Sequence, residues 1–177
     1  PMNILAAPEQ NETLTFNGGK TLLLQNDYIS FYFYDLQYQT YTATVPRAIA
    51  KETGEVFTQD IQAPDCQLNV YTGGGNKKKI HPYVTLQKAE FVSETPNGKN
   101  NAIKAEYNME MVLNDIPGTP YGTIIPAKAT VYHELVCLDK KDKTAWGVLT
   151  TVSEIQMNRD DFPEHDLYFE WRYVMNN

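Results

Sequence analysis

Residues 103–113 read Ile-Lys-Ala-Glu-Tyr-Asn-Met-Glu-Met-Val-Leu. Every odd position is apolar, and every even position except Val112 is polar. A helix, repeating about every 3.6 residues, would scatter that pattern around its circumference. A strand sends alternate side chains to opposite faces, so this stretch has one wet face and one buried face. Such a strand is stable only with neighbours on its edges and a second layer over its apolar face. The odd positions Ile103, Ala105, Tyr107, Met109, Met111 and Leu113 are therefore expected in a core or a cavity wall.

The flanking sequence supplies the neighbours. Residues 80–92, 127–138 and 145–157 each read as a long strand, and Cys66 to Tyr71 as a shorter one. Pro82 is tolerable only near a strand start or on an edge. Thr95-Pro96-Asn97-Gly98 is a turn signal, and Asn114 to Pro126 is a long Pro- and Gly-rich loop. Across the charged turn at 140–143, Cys137 should face Trp146, Leu135 should face Val148, and Val131 should face Val152. That register sets large apolar residues opposite one another. Residues 66–157 then form a five-strand antiparallel meander, and Leu167 to Met175 adds a final aromatic strand.

The first third is less regular. Residues 1–12 read as a flexible arm. Leu14 to Phe16 and Thr21 to Gln25 form a hairpin around Asn17-Gly18-Gly19. Tyr28 to Leu36 is a strand with Ile29, Phe31 and Phe33 on one side and Tyr28, Tyr32 and Tyr34 on the other. Gln37 to Val45 continues its pattern. Pro46 to Glu52 is the best helix candidate, with Pro in the first turn and Gly54 as a stop. Val56-Phe57 suggests an edge strand. The fold class is all-β: an antiparallel up-and-down meander forming a β-sandwich or β-barrel, with at most one or two short helices, in one domain over 1–177. The meander is loosely similar to calycin-type barrels and to the sandwiches of phage tail and secretion-tube proteins, and it carries no signature motif of either.

The net charge of −7 argues against non-specific binding to a nucleic acid backbone, which needs clustered Lys and Arg. No apolar run approaches the roughly 20 residues of a membrane-spanning helix. The two cysteines, Cys66 and Cys137, both read as buried strand positions, reduced in the cytosol or paired if the chain is exported. If Met2 is the native start the chain is expected in the cytoplasm. If a leader was trimmed it is exported, and Asn11-Glu12-Thr13 becomes a glycosylation sequon.

Candidate chemistry is sparse. Gly73, Gly74, Gly75, Lys77 and Lys78 form a loop that would cradle an anion on backbone amides and ammonium groups. It lacks P-loop spacing and a following helix, so a lysine-solubilised hairpin tip is the plainer reading. His81, His133 and His165 have no metal-ligand spacing. His133 and Cys137 share a strand face but lie about 13 Å apart, too far for one metal. Asp160, Asp161, Glu164, His165 and Asp166 match no calcium loop. Lys104, Glu106 and Glu110 line the wet face of 103–113 and would flank a sugar or a partner, though an ordinary solvent-facing sheet is the plainer reading. The tyrosine surplus exceeds what one core needs, and Tyr suits interfaces and stacking surfaces. Tyr28, Tyr32, Tyr34, Tyr107, Trp171 and Tyr173 are the candidate partner- or ligand-binding residues.

No cofactor, metal or catalytic arrangement is expected from these patterns. The leading expectation is a non-catalytic module for another protein or for self-association. A carbohydrate or small hydrophobic ligand is the alternative, and an enzyme with an unrecognised site is the third.

Overall fold

The structure is a computed structural model and describes residues 11–16, 19–34, 44–60, 67–72, 79–114, 119–157 and 167–172. Among them are eleven strands and no helix. The first sheet has the order β1 (Glu12–Phe16), β2 (Gly19–Gln25), β3 (Ile29–Tyr34), β4 (Thr44–Ala50) and β5 (Val56–Asp60). The second contains β6 (Gln67–Thr72), β7 (Lys79–Val92), β8 (Ala102–Leu113), β9 (Thr123–Cys137), β10 (Trp146–Met157) and β11 (Leu167–Arg172). Its order is β10-β9-β8-β7-β6-β11, so it is a meander with β11 added beside β6. All strand pairs are antiparallel. Neither sheet closes on itself: β1 and β5 are the outer strands of one, β10 and β11 of the other. The barrel alternative is thereby removed.

β8 is central, and all six of its odd positions are buried. They pack with Ile125, Ala127, Ala129, Val131 and Leu135 of β9, and with Leu22, Leu24, Ile29, Phe31 and Phe33 of the first sheet, in one hydrophobic cluster. Burying each large apolar side chain contributes about 1.5–3 kcal/mol relative to exposure. The hairpin register is the expected one, with Cys137 opposite Trp146, Leu135 opposite Val148 and Val131 opposite Val152.

Three expectations are corrected. Pro46 to Ala50 lies in β4, not in a helix, and the chain only turns over residues 51–53. Gly54, at φ 72°, closes that turn by donating its amide to the Ala50 carbonyl at 2.8 Å. Helix propensity is a weak preference, and pairing with both β3 and β5 outweighs it here. Secondly, β9 begins at Thr123, not at Ala127. Pro126 fits inside it because the β9–β10 pairing ends at Ala127 opposite Met157, so the missing amide removes no ladder bond there. Thirdly, Cys137 is exposed rather than buried, and its thiol donates to the Asp139 carbonyl at 3.2 Å. It is the last residue of β9, beyond the reach of the core. On the phenolic side of β3, Ser30 and Tyr34 are buried and Tyr32 is half-buried.

Among the described residues, Arg47 brings a charge into the core between the sheets. Arg47 is the extra residue of a bulge between the β4–β5 pairs Pro46–Thr58 and Ala48–Phe57, and it is fully buried. Its guanidinium lies over the rings of Phe31 (5.8 Å) and Tyr34 (5.4 Å), and it donates to the Tyr32 carbonyl at 2.7 Å. His133, fully buried on β9, tilts against Phe31 and Phe33 at 5.8 and 5.4 Å, with Nδ1 3.0 Å from Thr150 Oγ1. Burial, and then the Arg47 charge, lower its pKa to about 3.

Two outcomes follow from this core. Met111→Ala should cost about 2–5 kcal/mol of stability in urea unfolding. For His133 the folded pKa lies below the unfolded value, so the unfolded chain binds the extra proton. Stability from this group is complete above pH 6.5 and is lost as pH falls toward 3, at up to about 1.4 kcal/mol per pH unit. Urea midpoints of wild type and His133→Gln between pH 7 and 5 should show a shallower acid loss in the variant.

Candidate ligand-binding face

The outward face of the second sheet is built from the even positions of β8 and β9 and their partners. Antiparallel register aligns them in rows. One row is Lys88, Glu106, Thr130 and Glu154; the next is Thr85, Asn108, Lys128 and Gln156; on the other side lie Glu90, Lys104, Tyr132 and Thr151. At these rows is a trough of about 560 Å³, with Tyr107 and Ala129 also in its lining.

Two bulges explain its position. Gln87 is the extra residue of β7 between the pairs Leu86–Tyr107 and Lys88–Glu106. Ser153 is the extra residue of β10 between Val152–Val131 and Glu154–Thr130. A bulge bends its strand and increases the local twist. Here the strands on either side of β8 and β9 both bend at the level of Glu106 and Thr130, and Gln87 and Ser153 both line the trough.

The trough is polar and charge-balanced, with Lys104 and Lys128 against Glu106 and Glu154. Lys104 Nζ lies 3.8 Å from Glu106 Oε1, and Gln156 Nε2 donates to Glu154 Oε1 at 2.8 Å. Ser153 Oγ donates to the Thr130 carbonyl at 3.2 Å. Exposed ion pairs of this kind contribute only about 0–1 kcal/mol, so an incoming ligand exchanges them easily.

Beyond Tyr132 the outward face is covered by residues 95–100. Glu134, on the same face of β9, is fully buried beneath residues 95–100. Its carboxyl oxygens accept from Thr95 Oγ1 (2.6 Å), Asn97 Nδ2 (3.0 Å) and Asn100 Nδ2 (3.2 Å). Asn97 Nδ2 also donates to Thr151 Oγ1 at 3.1 Å, which ties the loop to β10. Thr95 and Gly98 exchange backbone hydrogen bonds of 2.8 and 3.1 Å, and Gly98 has φ 133°, a conformation side chains rarely tolerate. The opposite end is open. A second hollow of about 650 Å³ continues there from Asn108, Lys128 and Gln156 to Glu110, Pro126 and Met157.

The aromatic residues singled out from the sequence do not form one platform. Tyr28 stacks on Trp146 of the second sheet at 6.4 Å, and Tyr32 stacks on Tyr34 at 6.2 Å in the first. Tyr107 is buried in the core. Trp171 pairs with Leu68 in the β6–β11 ladder. Tyr173, Cys66, Gly73, Gly74, Gly75, Lys77, Lys78 and the acidic cluster at 160–166 lie outside the described residues. Among the described residues, no group of three His, Cys, Asp or Glu is placed to hold a metal ion.

Lys104, Glu106 and Glu110 were legible as wet-face residues. Asn108, Lys128, Thr130 and Tyr132 carry the same alternation, and the register would have found them. Gln87 and Ser153 gave no signal, because a bulge breaks the alternation that locates a face.

Glu134→Ala should leave the loop donors without their acceptor, costing about 1–3 kcal/mol. Amide hydrogen exchange at Thr95 and Gly98 should accelerate more than exchange in β8.

No family model, no curated protein and no solved structure matches this chain.

Proposed function

We propose that the chain is a non-catalytic protein-interaction module built on a two-sheet β-sandwich, docking its partner on the open end of the outward face. The sandwich reading is supported by the core that the two sheets share. The observation that carries the docking reading is a concentration of exposed apolar surface. Tyr83 is 67% exposed and Ile124 56%, on the face that also presents Pro126, and Tyr121 is 77% exposed in the turn leading into β9. Single exposed apolar residues are ordinary, but several at one end of one face mark an interaction surface. Tyrosine is the residue for it, pairing a large apolar ring with a polar tip. The partner is another protein, a second copy of the chain included.

A second reading, a small polar ligand, is favoured by the trough itself. Its carboxylates are engaged by Lys104 and Gln156, an arrangement that suits holding rather than turnover.

A photo-crosslinking amino acid at Tyr121 tests the docking reading. Wild type should give a defined protein adduct, and light scattering should show a mass that rises with concentration if the partner is a second copy. Tyr83→Ser with Ile124→Ser should weaken either association about tenfold or more. A chain that stays monomeric and yields no adduct would sink the proposal.

A further inference from the structure

We infer that the trough between the two bulges binds the terminal units of a neutral, polyhydroxylated chain, an oligosaccharide held end-on. The inference rests on the second, small-ligand reading above and names its ligand class.

Charge decides first. The chain carries −7 overall, yet the trough holds two lysines and two glutamates and sums to zero. An anionic ligand would meet Glu106 and Glu154, and a cationic one Lys104 and Lys128. A neutral ligand with many hydroxyls meets no like charge. Each hydroxyl both donates and accepts, and the trough offers both functions side by side in Gln87, Asn108 and Gln156, with charged donors and acceptors between them. Hydrogen bonds to charged groups are the stronger kind. The half-buried Tyr132, part of the lining, supplies an aromatic ring beside these polar groups. A sugar ring needs such a pairing of polar edge and apolar face.

Shape decides the mode. About 560 Å³ lies within the range of roughly 300–1,000 Å³ typical of small-molecule sites. The loop held by Glu134 covers the face beyond Tyr132, so a chain lying along the strands must stop there. It leaves through the open end, past Glu110 and Pro126, where the second hollow of about 650 Å³ continues. The trough therefore reads a chain end and not a chain interior.

Isothermal titration with neutral gluco-, manno- and galacto-oligosaccharides of increasing length tests this. Uronate and glucosamine oligomers of matched length serve as anionic and cationic counterparts. At least one neutral series should bind, its affinity should level off with length, and capping one terminus with a bulky group should abolish binding. Asn108→Ala and Gln156→Ala should each lower affinity about tenfold, which is about 1.4 kcal/mol. Both side chains are exposed, so circular dichroism should show an unaltered fold, and Lys20→Ala on the first sheet should bind as wild type does. Binding restricted to the charged oligomers, affinity that climbs without limit with length, or binding indifferent to terminal capping would overturn the proposal. So would the appearance of new reducing ends, or no binding by any series. The Tyr121 crosslinking result is independent of each of these, so failure of the saccharide reading and failure of the docking reading are separable.

Discussion

Six odd-numbered side chains of β8 are shut away from water, and the second sheet is arranged to keep them so. A slip of one residue against β7 or β9 would turn Met109 and Met111 outward and bring Glu106 and Glu110 into the core. Burying an unpaired carboxylate costs several kcal/mol, on top of the apolar burial forfeited. The register is therefore fixed by β8 and passed outward to β7, β9 and β10. The first sheet completes the seal with Leu22, Leu24, Phe31 and Phe33.

That seal has two polar interruptions of different character. Arg47 and His133 sit among aromatic rings, one directed inward by a bulge and the other held neutral by its surroundings. Glu134 is buried on the other side of the sheet, beneath a loop that supplies all three of its described hydrogen-bond donors. The first pair belongs to the junction between sheets. Glu134 belongs to the outward face, where it holds the loop that covers the face beyond Tyr132. Neighbouring positions of one strand, His133 and Glu134, thus serve opposite surfaces of the sheet.

Much of the second sheet was legible because strand periodicity and turn chemistry are local. The alternation over 103–113 fixed a face, and the charged turn at 140–143 fixed the pairing of Cys137 with Trp146. The helix expected at 46–52 failed because Pro46 and the alanines are a local signal, whereas β4 is made by neighbours far along the chain. The exposure of Cys137 was hidden because burial depends on where a strand outruns its core. The outward face was half legible: its even positions followed from the pattern, but the bulges at Gln87 and Ser153 did not, since these resemble any other polar residues in a strand. The surroundings of the tyrosines near β3 were not legible for a related reason. Their abundance suited an interface or stacking surface; Tyr34 is buried beneath Arg47 and Tyr28 reaches across to Trp146.

The bulge at Gln87 also changes phase along β7. Below it Tyr83 and Thr85 face outward, and above it Lys88 and Glu90 do, while Leu86 and Ala89 pack toward the core. Removing that one residue would join Leu86 to Lys88 with both already on their proper sides. The core would be left as it is and the bend would be lost. Ser153 stands in the same relation to Val152 and Glu154. Curvature in this sheet is thus set by single inserted residues that leave the interior undisturbed.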